Sequence, residues 1–239
     1  MVVEADKRVW QAEGEEKGAA VKEMFSEIAP TYDLLNSLLS MNLHHRWRRS
    51  AVATLQLPLG GTALDLCCGT GDFLPPLRRA IGPEGELVGV DFCGPMLERA
   101  HKKDANAALL LADAKEIPLA AGVFDGLAVG WGLRNVDDLE RALSECFRVL
   151  KPGGRFACLD MARPRGLLGP MAEAAFHLVT PILGRLFGRA EAYTYLPKSA
   201  ARFATREELA HKFESAGFKE VRWRDFFFGN VCLHTGVKP

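Results

Sequence analysis

Leu64-Asp65-Leu66-Cys67-Cys68-Gly69-Thr70-Gly71-Asp72 and, further on, Leu87-Val88-Gly89-Val90-Asp91 decide the fold of this chain. The first stretch reads as a buried apolar strand running into a glycine turn and a helix start. The second reads as the next parallel strand, ending in a carboxylate. Together they make a nucleotide-binding βαβ unit. Gly69 and Gly71 let the backbone turn tightly and approach a ligand where a Cβ would clash. Asp91 follows Gly71 by 20 residues, the distance at which an acid meets ribose hydroxyls.

A dinucleotide fingerprint needs a third glycine where this chain has Leu74, and no G-x-x-x-x-G-K-[ST] phosphate loop is present. A ligand with ribose and base but no phosphates fits better. Asp65, Gly69 and Gly71 resemble the D-x-G-x-G-x-G loop of S-adenosylmethionine-dependent methyltransferases, with Cys67 in place of the first glycine.

Composition sets the frame. The 239 residues, 48% hydrophobic and 25% charged, suffice for one sizeable α/β core. Thirty basic side chains balance thirty acidic ones, so no general attraction to nucleic acid is expected. The six cysteines lack C-x-x-C spacing and lie mostly in apolar runs, as packed thiols of a cytoplasmic protein do. The histidines at 44, 45, 101, 177, 211 and 234 have no ligand-like spacing, so no metal is expected. No secretion signal or transmembrane run is read.

Residues 1–20 read as a polar arm and 21–239 as one domain. Within it, Met24, Phe25 and Ile28, then Leu34, Leu35, Leu38 and Leu39, mark helical segments over 21–57 separated at Pro30. Strands are predicted at 62–67, 86–91, 107–112, 123–131 and 154–161, with helices at 71–82, 93–104 and 137–150 between them. Lys151-Pro152-Gly153-Gly154 is expected to stop the last helix and turn the chain into the fifth strand. A helix over 206–216 precedes strands at 218–228 and 231–237, joined at Gly229-Asn230 as a hairpin. The expected fold is α/β, five parallel strands and a terminal hairpin that resemble the seven-stranded, Rossmann-like sheet of class I methyltransferases. Segments 21–57 and 165–205 are expected to form its lid.

Tyr32-Asp33-Leu34-Leu35-Asn36 with Ser40, His44 and Trp47, Gly132-Leu133-Arg134-Asn135-Val136, and Arg148-Val149-Leu150-Lys151-Pro152-Gly153-Gly154 together resemble the ubiquinone/menaquinone biosynthesis C-methyltransferases. The resemblance covers roughly residues 21–238. It implies S-adenosylmethionine as methyl donor and a ring carbon of a polyprenylated quinol as acceptor. Demethylmenaquinol is favoured over the ubiquinone-pathway benzoquinol. A small soluble phenol, or nucleoside binding without catalysis, are the competing readings.

The resemblance places the cofactor against Thr70, Asp91, Asp113 and Ala114, beside the loop residues Asp65, Gly69 and Gly71. Gly130, expected to meet the cofactor through its backbone alone, stands where the family often has serine, and Asp160-Met161-Ala162-Arg163-Pro164 where it often has Glu-Phe-Ser-Lys-Pro.

Carbon methylation needs an ionised ring hydroxyl, hence a base or an anion-stabilising cation. His44 is the candidate base, or else only a lid hydrogen bond. Arg134 is the candidate cation, or else pairs with Asp33 or Asp137. Tyr32 and Asn36 could contact ring oxygens or the cofactor. In the insertion, Leu168, Met171, Ala175, Leu178, Ile182 and Leu186 recur at helical spacing, beside Val179, Leu183 and Phe187. The stripe reads as core, as a tunnel for an isoprenoid tail, or as a patch resting on the inner face of the membrane. Pro170 and Pro181 are expected to bend it. A homodimer is compatible with all of this.

Overall fold

The computed structural model describes Val9 and residues 14–239. Five parallel strands, β1 (Thr62–Leu66), β2 (Glu86–Asp91), β3 (Ala108–Leu111), β4 (Phe124–Gly130) and β5 (Leu150–Met161), are extended by the antiparallel pair β6 (Lys219–Phe226) and β7 (Val231–Val237). The order is β3-β2-β1-β4-β5-β7-β6. The chain therefore runs outward from β1 to β3 and returns to β4 on the other side of β1. That reversal opens a crevice at the carboxyl ends of β1 and β4.

The central strands are apolar on both faces because both are covered. On one face Leu64, Leu66, Val129 and Phe156 pack with α6 (Leu139–Val149) and α9 (Arg206–Ser215), where Phe156 stacks on Phe213 at 4.7 Å between ring centroids. On the other, Ala63, Ala128, Ala157 and Leu159 meet α3 (Leu43–Leu55), α4 (Leu74–Ile81) and α5 (Gly94–Lys103). The small residues on this face let the helices lie close.

A third apolar cluster joins the segments expected to form the lid. Val21, Met24 and Ile28 of α1 (Gly14–Ile28) and Leu35 of α2 (Tyr32–Ser40) pack on Cys93 and Met96 at the start of α5, and on Tyr193 and Tyr195 of α8 (Ala190–Arg202). Helix α7 (Gly169–Leu186) turns back onto α8 so closely that a Cβ on Gly184 would lie 2.5 Å from Tyr193 Cβ.

Several boundaries differ from the sequence reading. Residues 1–8 and 10–13 of the expected arm lie outside the described residues, and 14–20 belong to α1. Lys151–Gly154 does not separate helix from strand: β5 starts at Leu150, and these residues make an irregularity in its pairing with β4. Pro170 sits at the helix N-terminus, where a missing N–H leaves no bond unmade. The turn between β6 and β7 is a 3-10 turn, Phe227–Gly229, in which two bulky residues, Phe227 (φ 47°) and Phe228 (φ 56°), are left-handed. Left-handed aromatic residues are strained, and such strain concentrates at functional sites.

Candidate active site

The loop after β1 is pinned by Asp91 at the end of β2. Its carboxylate accepts the Gly69 N–H at 2.8 Å and the Cys93 N–H at 2.9 Å. Burial raises the Asp91 carboxyl to about 6, against the opposing pull of these donors. Lone pairs remain on both oxygens for ribose hydroxyls. The adjoining crevice, about 80 Å³, is lined by Gly69, Asp91, Phe92, Asp113, Ala114 and Gly130 among others.

Asp65, at the root of the loop, is buried, which pushes its carboxyl well above the usual carboxylate range, and among the described residues neither of its oxygens has a hydrogen-bond partner. A buried acid left this way calls for an incoming donor or cation. The ammonium of an amino-acid moiety has that chemistry, so the orphaned carboxylate fits S-adenosylmethionine.

Of the expected cofactor residues, Asp65, Thr70 and Gly71 do not line the crevice. Gly71 (φ 80°) presses on α5, where a Cβ would stand 2.9 Å from Ala100 Cα. The Thr70 hydroxyl faces the lid and donates to Asp33 Oδ1 at 2.5 Å. Gly130 is required because a Cβ there would lie 2.6 Å from the Phe73 ring. The serine common at this position in the family has no room. Cys67 adopts φ 53° without being glycine, and its Cβ occupies the space that a Cβ on Gly132 would enter.

A second cavity of about 380 Å³ lies under the lid. Phe176, Val179, Phe227 and Phe228 give it apolar walls, while Tyr32, Asn36, His44 and Arg134, the four expected catalytic residues, all line it. Phe25, Tyr32 and Trp131 line both spaces. They stand where the two spaces adjoin.

His44 is buried, and its Nδ1 accepts from Arg48 one helical turn on. Arginine cannot accept a hydrogen bond, so neutral His44 carries its proton on Nε2, 3.4 Å from Ser37 Oγ. Burial, then the charges of Arg48 and His45, lower its pKa to about 4. With Nδ1 taken and Nε2 protonated, this geometry gives His44 no lone pair for a substrate proton. Arg48 also pairs with Asp72 at 3.1 Å and lies over Trp131, 4.7 Å from the ring centroid. Burial alone would raise Asp72, but Arg48 and Lys103 hold it at about 2. Lys103 meets Asp72 at 2.5 Å and Asp33 at 2.9 Å, so the lid is tied to the loop through charge.

Arg134 pairs neither with Asp33 nor with Asp137, which bind Lys103 and Lys115. Its NH1 donates to Asp160 Oδ1 at 2.9 Å and to the Trp131 carbonyl at 2.6 Å, and its buried Nε has no partner. Asp160 is the acid for which the sequence offered no role. Arg48, Trp131, Phe92 and the aromatic turn were missed as well. Arg48 is i+4 from His44 on one helix, a signal present in the sequence; Phe227 and Phe228 carried none. Among the described residues no group of three or more His, Cys, Asp or Glu is placed to hold a metal.

Comparison with known proteins agrees with this geometry. Residues 11–238 match the family model described as the ubiE/COQ5 methyltransferase family. A demethylmenaquinone methyltransferase of Lactiplantibacillus plantarum is 38% identical over 91% of this chain and 95% of that protein. One of Staphylococcus aureus is 41% identical over 91% of this chain and 92% of that protein. Among solved structures, a SAM-dependent methyltransferase from Thermotoga maritima superimposes with a TM-score of 0.67 at 24% identity, covering 91% of this chain and 99% of that one.

Proposed function

Because the chain belongs to the ubiE/COQ5 methyltransferase family, we propose that it transfers a methyl group from S-adenosylmethionine to a ring carbon of a polyprenylated quinol, demethylmenaquinol before the ubiquinone-pathway benzoquinol. The observation that carries this reading is the pair of spaces sharing Phe25, Tyr32 and Trp131: a ribose-matched crevice on one side and a large, mainly apolar cavity with one cationic end on the other. A small soluble phenol would leave most of the apolar wall unfilled.

In this reading Asp91 receives the ribose, Asp65 the ammonium, and Phe92, Asp113 and Ala114 flank the base. S-adenosylmethionine supplies a methyl group already activated by sulfonium charge. The protein aligns the ring carbon and makes it nucleophilic. A ring hydroxyl has a pKa of about 10, near that of tyrosine, and Arg134, fixed by Asp160 and with Nε free, stabilises its anion. Tyr32 and Asn36 hold the ring where the two spaces adjoin. His44, neutral, holds Arg48 in place.

The chain acts as one domain whose lid, 21–57 and 165–205, also meets the membrane at its inner face. Leu167, Leu178, Ile182 and Leu186 are exposed along the outer side of α7 and the turn before it. Among the described residues no helix is long and apolar enough to cross a membrane, so the contact is with its surface. Product analysis by mass spectrometry, with both reduced demethyl precursors under anaerobic conditions, tests the assignment. Methylation of the benzoquinol alone would reverse the order of preference, and methylation of neither would refute it.

A further inference from the structure

Among the described residues, two that line the large cavity carry hydroxyls with nothing to bond to. Thr180 of α7 is fully buried and Tyr193 of α8 nearly so, and neither Thr180 Oγ1 nor Tyr193 Oη has a hydrogen-bond partner. Both residues line the cavity that Arg134 lines. Neighbouring hydroxyls of the same lid are satisfied: Tyr195 donates to Asn135 Oδ1 at 3.1 Å and Thr194 to the Ala190 carbonyl at 2.7 Å. Thr180 could bond back within its helix, as threonines commonly do, and does not.

Their two helices are packed closely together. Gly184, one turn beyond Thr180 on the same face of α7, is the residue against which Tyr193 packs. Among the described residues the other buried side-chain atoms without a hydrogen bond belong to Asp65, Asp72, Arg48, Arg134 and Arg189, so Thr180 and Tyr193 carry the two hydroxyls in that group. Burial keeps the Tyr193 phenol protonated, a donor at neutral pH, with Tyr32 nearby reinforcing the shift.

We infer that Thr180 and Tyr193 form a second polar subsite, which binds an oxygen of the acceptor ring other than the one held by Arg134. The acceptor is then a ring with two oxygens. This deepens the quinol reading and rests on it. A site whose buried polar groups are paired only by the right substrate discriminates strongly against an analogue lacking the partner atom.

The experiment compares wild type with Tyr193→Phe and Thr180→Val. The acceptors are a short-tailed naphthohydroquinol and the matching naphthol with one ring oxygen removed, both kept reduced. The ratio of kcat/KM for the two-oxygen over the one-oxygen ring should fall about tenfold in each variant, the worth of one neutral hydrogen bond at the upper end of its range. Because each change removes an unsatisfied hydroxyl, both variants should unfold at the same or a higher temperature than wild type. An unchanged ratio, or an equal loss on both acceptors with lowered thermal stability, overturns the subsite. Calorimetric binding of the same two compounds separates it from the quinol reading. If the wild type prefers the two-oxygen ring and the variants do not, yet nothing is turned over, the function is wrong and the subsite stands.

Discussion

Arg48 donates to Nδ1 of His44 across one turn of α3, both side chains being buried; the bond fixes the tautomer of the imidazole, while burial first and the Arg48 charge second keep it neutral. Arg48 takes Nδ1 and the proton stays on Nε2, so His44 holds a guanidinium in place and does not collect protons.

The pH profile of turnover follows from that. With His44 at about 4, no limb is expected near the ordinary histidine range of about 6.5. The rate should rise steadily toward the pKa of the acceptor hydroxyl. His44→Ala should lower kcat by about 10- to 100-fold, since Arg48 loses a charge-assisted bond, while the profile keeps its shape. A wild-type limb near 6.5 that vanishes in His44→Ala would restore the imidazole as base.

Cofactor affinity should depend on Asp91. Its free-state pKa of about 6 means that the carboxylate which accepts from the ribose diol is complete only above that pH. Binding favours the ionised form, so affinity should be level above pH 7 and decline as pH falls through 6. Asp91→Ala should weaken binding by about 2–3 kcal/mol and abolish that decline. Titration calorimetry between pH 5 and 8 reads both effects.

The Arg134–Asp160 pair should be asymmetric. Removing Asp160 leaves a buried guanidinium that cannot shed its proton, so Asp160→Ala should cost about 3–5 kcal/mol of stability. Arg134→Met should cost less, because Asp160, already raised by burial, can take a proton. A carboxyl whose folded pKa is raised stabilises the fold at low pH and loses that contribution as pH rises. Urea unfolding of Arg134→Met should therefore show stability increasing from pH 8 to pH 5. Its methyl transfer should be largely lost throughout.

Cys67 and Gly132 should couple. Gly132→Ala drives a Cβ into that of Cys67 and should destabilise the loop. Cys67→Gly alone should be nearly neutral, exchanging relief of a left-handed residue for lost chain stiffness. The double variant should recover at least about 1 kcal/mol of the damage, within the range for contacting pairs, as measured in a thermodynamic cycle.

Leu178 and Ile182 face outward, so they are neither core nor tail contacts. Leu178→Glu with Ile182→Glu should leave the melting temperature unchanged. It should reduce co-sedimentation with phosphatidylethanolamine/phosphatidylglycerol vesicles at least tenfold, given about 1.5–3 kcal/mol for each large apolar side chain. Unaltered sedimentation would remove the stripe from the membrane contact.

Sequence alone determined the parts of this protein that rest on local periodicity and on spacing within one βαβ unit. Apolar runs set the strands to within two residues, except β5, which begins at Leu150 instead of 154, and the spacing of the Gly69 loop and Asp91 pointed to the crevice they share, because turn, helix start and acid are close in the chain. Tertiary structure decided what depends on partners far apart in sequence. Arg134 finds Asp160, 26 residues on, rather than the nearer Asp137. Gly130 is glycine because Phe73 leaves no room. Helix α7 is apolar on more than one side, so its pattern could not choose between facing the cavity and facing outward. Its packing on α8 and on the turn at Phe227 made that choice, burying Thr180 and leaving Leu178 in the open.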